Sequence, residues 1–88
     1  LQSVRSFVDD VFKAAHEHGD VHYGNIDWNQ QLETHGYVPV VVRSDGELWK
    51  LIHQWCEKQF GQDHYAWTGS VFWFESESDA TIFALRWG

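Results

Sequence analysis

Residues 71–74 read Val-Phe-Trp-Phe, four bulky apolar side chains in succession. A half-buried strand alternates apolar and polar residues, and an amphipathic helix repeats its apolar ones at steps of three and four. An unbroken apolar run of this kind fits a strand covered on both faces. The run lies within residues 65–75, read as one kinked strand or as two strands. Gly69 marks a bulge or the tip of a tight turn. With 88 residues, the chain can hold one domain, residues 1–88, around one core.

Three helices and one further strand are legible around that run. Val4, Phe7, Val8, Val11, Phe12 and Ala15 recur at helical steps, predicting a helix over 4–18 capped by Ser3 and ended by Gly19. Residues 37–43 are rich in Val and predict a strand, with Pro39 restricting it to an edge or to bonding beyond the proline. Ser44 and Glu47 have the spacing of a capping box for a helix over 46–60. Leu48, Leu51, Ile52, Trp55, Cys56 and Gln59 are read as its inner face, broadened by Trp49 and Phe60. Trp55 on that stripe is expected to be buried. A last helix over 79–87, capped by Ser76 or Ser78, is apolar nearly all round, with Phe83, Leu85 and Trp87 expected to bury. Residues 20–36 have no clean period. Asn25 or Asp27 can cap a short helix over 28–34 stopped by Gly36, and an irregular loop fits as well.

The expected class is α+β, a single small two-layer domain. Its order is helix, irregular segment or short helix, strand, helix, strand, helix. A strand-helix-strand unit favours a right-handed crossover and parallel pairing. Two strands alone make a poor sheet. A hairpin within 65–75, a strand from 20–36, or a second copy in a homodimer would complete it.

The formal net charge is −7, which repels phosphate backbones and anionic membrane surfaces. A nucleic-acid partner is therefore disfavoured, and no membrane role is expected, since no apolar run approaches a bilayer span. One cysteine, Cys56, cannot form an internal disulfide, which fits a reducing cytoplasm. The chain opens at Leu1 without a charged-then-apolar signal pattern, which suggests that a tag or leading segment was removed.

The C-terminal third carries Trp55, Cys56, Phe60 and Gly61, then Phe74, Asp79, Ala80, Phe83, Leu85, Arg86 and Trp87. This pattern resembles the ending of small uncharacterised proteins of tailed phages: a helix with Trp-Cys closing on Phe-Gly, an aromatic strand, and D-A-x-x-F-x-L-R-W. The resemblance covers residues 55–88 and implies a protein acting in the cytoplasm of an infected bacterial cell. It implies no catalytic residue.

Residues 16–22, His-Glu-His-Gly-Asp-Val-His, are similar to the H-x-H-x-D-H run of lactamase-type metallohydrolases, with Val21 as an insertion. Such a catalytic fold needs more chain and ligands from distant loops. On a helix, His16 and His18 point about 200° apart and cannot share an ion. The expected reading is a helix terminus running into a loop. A metal-dependent role for His16, His18, Asp20 and His22 is an alternative. Cys56 next to Trp55 reads as a buried thiol, although His53 could approach it. No nucleophile elbow or phosphate loop is present, so no catalytic residue, metal or cofactor is expected. The six tryptophans exceed what so small a body can readily hide. Tyr23, Trp28, Trp49, Tyr65 and Trp67 are the candidate partner-binding residues. The expected function is non-enzymatic binding of a host or phage protein. The alternatives are nucleic-acid binding by an aromatic strand and the metal role.

Overall fold

A computed structural model describes residues 2–17, 26–43 and 46–88. The chain adopts the expected α+β class. Among the described residues four α-helices, α1 (Val4–Glu17), α2 (Trp28–Thr34), α3 (Trp49–Phe60) and α4 (Glu77–Trp87), surround a sheet of β1 (Val38–Val41), β2 (Tyr65–Thr68) and β3 (Val71–Phe74). Short 3-10 turns at Gly46–Leu48 and Gln62–His64 precede α3 and β2.

Local signals set several of these boundaries. Ser3 Oγ accepts from the Ser6 amide at the start of α1. Asp27 caps α2 by accepting from Gln30 N, and Ser76 caps α4 by accepting from Asp79 N. Beyond α2, Gly36 takes φ +91°, a left-handed value that few other residues tolerate. The Ser44 capping box and the Gly19 stop fall outside the described residues. The α-helix itself starts later than expected, at Trp49, with Leu48 at its cap and no side-chain capping bond.

The strand order is β1-β3-β2, with both pairings antiparallel. The expected parallel pairing is therefore overturned. Gly69, at φ +60°, and Ser70 turn the 65–75 segment into a hairpin. Glycine at the first of two turn residues is the pattern of a II′ turn. The hairpin's second strand then docks on β1. Because β1 and β2 both run antiparallel to β3, they share a direction, as a strand-helix-strand unit requires, but β3 separates them.

β3 is the central strand, and its side chains divide the apolar interior in two. Phe72 and Phe74 join Val42, Ile52, Cys56, Tyr65, Ala80 and Phe83 on the α3/α4 face. Trp73 joins Val4, Phe7, Leu32 and Tyr37 on the α1/α2 face. Helices thus cover both faces, as the four-residue apolar run requires, and a second helical layer is added to the expected one. Two helix faces also differ from expectation. In α3, Ile52 and Cys56 are buried, whereas Leu48, Leu51 and Gln59 are exposed. Trp49, Trp55 and Phe60 are half-buried at the margin of the cluster. The inner stripe therefore runs from Trp49 through Ile52 and Cys56 to Phe60, and the expected full burial of Trp55 is corrected. In α4, Ala80 and Phe83 point inward while Leu85 is 85% exposed. Only one side of this helix meets the sheet.

Candidate functional site: an aromatic cleft at the sheet edge

The free side of β2 borders a cleft of about 530 Å³. α1 contributes Arg5 and Val8. Trp28 and Leu32 come from α2, and Ile26 from the residues before it. Ala66, Trp67, Thr68 and Gly69 form the β2 side. These places follow from periodicity. Arg5 and Val8 are three residues apart and so share one side of α1, beside the Val4–Phe7 face that binds the sheet. Ala66 faces α1 and α2, and its neighbours Tyr65 and Trp67 face α3, as side chains alternate along a strand.

A short polar relay anchors the far end of the cleft. The Trp73 indole N–H donates to Thr68 Oγ1 at 2.9 Å, and the Thr68 hydroxyl donates to Asn29 Oδ1 at 2.6 Å. This ties α2 to β2 and holds the wall carrying Trp28 against the strand. The opposite end of the sheet is tied by Glu75. Its Oε1 accepts the Val4 backbone amide at 2.8 Å and lies 3.0 Å from His64 Nδ1. The Tyr37 hydroxyl donates to the Gln2 carbonyl at 2.9 Å. Burial, and then the Glu75 carboxylate, push the Tyr37 phenol above its ordinary value.

Behind Trp67, on the α3 side, His53 lies among aromatic rings. Its centroid is 4.3 Å from Trp67, 5.2 Å from Trp49, 5.4 Å from Phe72 and 6.2 Å from Tyr65. Burial lowers its pKa and favours the neutral imidazole. Cys56 is fully buried nearby, and desolvation pushes its thiol up to about 12, so little thiolate forms at neutral pH.

The five residues read as partner-binding fall into different places. Trp67, 43% exposed, and Trp28, half-buried, lie on the cleft. Trp49 is half-buried beside His53. Tyr65 is only 5% exposed and belongs to the core, with burial raising its pKa first of all. Tyr23 lies outside the described residues. Thus the structure brings Trp28 and Trp67 to one cleft and sets Trp49 and Tyr65 behind it. Sequence reasoning missed Arg5, Val8 and Ala66. A cation between two valines of the apolar stripe, Val4 and Val8, was the available signal for Arg5. Of the histidine run, His16 is exposed near the end of α1, with its ring 6.0 Å from Phe12. His18, Asp20 and His22 lie outside the described residues. Among the described residues no group of three or more His, Cys, Asp or Glu could hold a metal ion. No helix among them is long and apolar enough to cross a membrane. No protein-family model, curated protein or solved structure matches the chain.

Proposed function

We propose that the chain is a non-catalytic binding module that holds a partner protein in the cleft beside β2. The observation that carries this reading is Trp67. Trp67 borders the apolar cleft from the edge strand and is 43% exposed, whereas Phe7, Phe72, Phe74 and Phe83 are buried. Tryptophan and arginine are the residue types that most often dominate protein interfaces, and Trp28, Trp67 and Arg5 line one cleft here. The only titratable side chain among the described lining residues is Arg5. A guanidinium stays protonated at any working pH, so the lining offers a binding charge and no general acid or base. The net charge of −7 supports a protein partner over nucleic acid. The phage-like ending noted in the sequence makes a host or phage protein in the cytoplasm of an infected bacterium the partner class of choice.

The test is affinity capture from bacterial lysate by the parent chain and by Trp28→Ala and Trp67→Ala variants. Each variant is first shown to keep the parent's far-UV spectrum. A partner held by the parent and lost by both variants is expected. Capture that is indifferent to both substitutions, or measured turnover of a substrate by the purified chain, would overturn the reading.

A further inference from the structure

The two edges of the sheet differ in what they offer. The Val42 amide donates to the Ser70 carbonyl at 2.9 Å, extending the β1–β3 ladder one step past Val41↔Val71. Hydrogen-bonded and non-bonded pairs alternate in an antiparallel ladder. Val40↔Phe72 and Val38↔Phe74 are therefore the bonded pairs toward β1. Val71 and Trp73 turn their backbone groups the other way and bond Thr68 and Ala66. The backbone N–H and C=O of Tyr65 and Trp67 consequently point away from the sheet. Among the described residues no hydrogen bond takes them up.

On the other edge the outward positions are Pro39 and Val41. Proline has no N–H to offer, and this is a common way of blocking an edge strand. One edge is thus blunted. The other carries open donors and acceptors and runs along a cleft with apolar walls.

We propose that β2 accepts an extended segment of the partner protein as a fourth strand of the sheet. The segment's backbone would bond Trp67 and Tyr65, and its alternate apolar side chains would enter the cleft between Val8, Trp28 and Leu32. A carboxylate on the segment would meet Arg5. This rests on the cleft being the binding site. Three strand residues, Ala66 to Thr68, line the cleft, which gives about 10 Å of strand to pair with. Arg5 is only partly exposed, and no carboxylate among the described residues pairs with it, which leaves its charge available to an acidic group on the segment. A second copy is the weaker occupant. Its own β2 would arrive with helices on both faces, against the α1 and α2 walls, and each copy carries a net charge of −7.

The probes are acetylated eight-residue peptides in which Val or Ile alternates with Thr and a single Glu is walked along the chain. Controls have the same composition in non-alternating order. Binding is followed by the amide shifts of the isotope-labelled protein. Saturable shifts centred on Tyr65 and Trp67 are expected for at least one alternating peptide. They should vanish when the ladder-facing amides of that peptide are N-methylated. Affinity should fall about fivefold with Arg5→Gln or with Glu replaced by Gln in the peptide, as for a partly exposed ion pair. Arg5→Gln changes a partly exposed position, and its unliganded spectrum checks that the fold is kept. The proposal is overturned if no alternating peptide gives saturable shifts, if N-methylated peptides bind as well, or if the Tyr65 and Trp67 shifts arise from concentration-dependent dimer without peptide. In any of these cases a protein captured through Trp28 and Trp67 would still uphold the binding reading without strand addition.

Discussion

Phe83 has no exposed surface, and its ring lies 4.9 Å from Phe72, 5.0 Å from Phe74 and 6.2 Å from Trp55. Truncating it leaves a cavity where three rings and α4 meet the sheet. Phe83→Ala should cost about 3–5 kcal/mol in urea denaturation. Trp55 keeps part of its surface in solvent and contacts Phe60, Phe83 and Trp87 from the margin. Trp55→Ala should therefore cost less, about 2–3 kcal/mol. A larger loss for Trp55 than for Phe83 would mean that the centre of this cluster has been misplaced. His53 carries the pH dependence at this scale. Its folded pKa is lowered by burial from the ordinary 6.5, so the folded protein binds a proton less readily than the unfolded chain. The His53 contribution is full above the unfolded value. It is lost as pH falls through that value toward the folded pKa, and the loss levels off below the latter. The drop in urea midpoint between pH 8 and pH 5 should be smaller in His53→Gln than in the parent. Equal drops would show that the ring cage does not penalise the imidazolium.

At the scale of elements, α1 is held by contacts remote in sequence. Its first amide, Val4 N, is one of the donors a helix leaves unpaired, and Glu75 at the end of β3 takes it up. The same carboxylate lies against His64 in the turn before β2. Glu75→Ala should loosen α1 at about 1–2 kcal/mol, the usual cost of losing a capping acceptor. Hydrogen exchange should quicken most over Val4–Phe7, while β3 amides stay protected. Uniform quickening over the whole chain would indicate a global effect and remove the capping role. α4 shows the opposite balance. Ser76 starts it locally, but only Ala80 and Phe83 are fully buried, and Leu85 remains in solvent despite an apolar sequence on nearly every side.

For the whole molecule, β3 makes the two apolar clusters interdependent. Phe72 and Phe74 serve one and Trp73 the other, on a single four-residue strand. Neither cluster can lose this strand without the other losing it too. Unfolding should therefore be a single transition, with the loss of helix by far-UV dichroism and the change in tryptophan fluorescence superimposing in urea. Separate midpoints would show that the α1/α2 face melts apart from the α3/α4 face.

Much of this was legible before any tertiary contact was known. Asp27 and Ser76 act through amides three residues away, and Gly69 through its own backbone. Val71–Phe74 signalled cover on both faces because side chains alternate along every strand. These features depend on neighbours within one or two turns of chain, so the sequence alone narrowed them to a short choice: Asn25 or Asp27, Ser76 or Ser78, and a bulge or a turn at Gly69. The strand order was not legible. Val38 pairs with Phe74 across half a molecule, and no local propensity distinguishes that from β1 pairing with β2. The buried side of α3 was likewise decided by what it met. Ile52 and Cys56 face Phe72 and Phe83, while Leu48 and Leu51, as apolar as their neighbours, found no surface opposite. The cleft belongs to the same category. Arg5, Trp28 and Trp67 lie far apart in the chain, and only the docking of α1 and α2 beside β2 brings them together. Periodicity says which residues share a side of one element, but burial and binding depend on the second surface, which only the folded chain supplies.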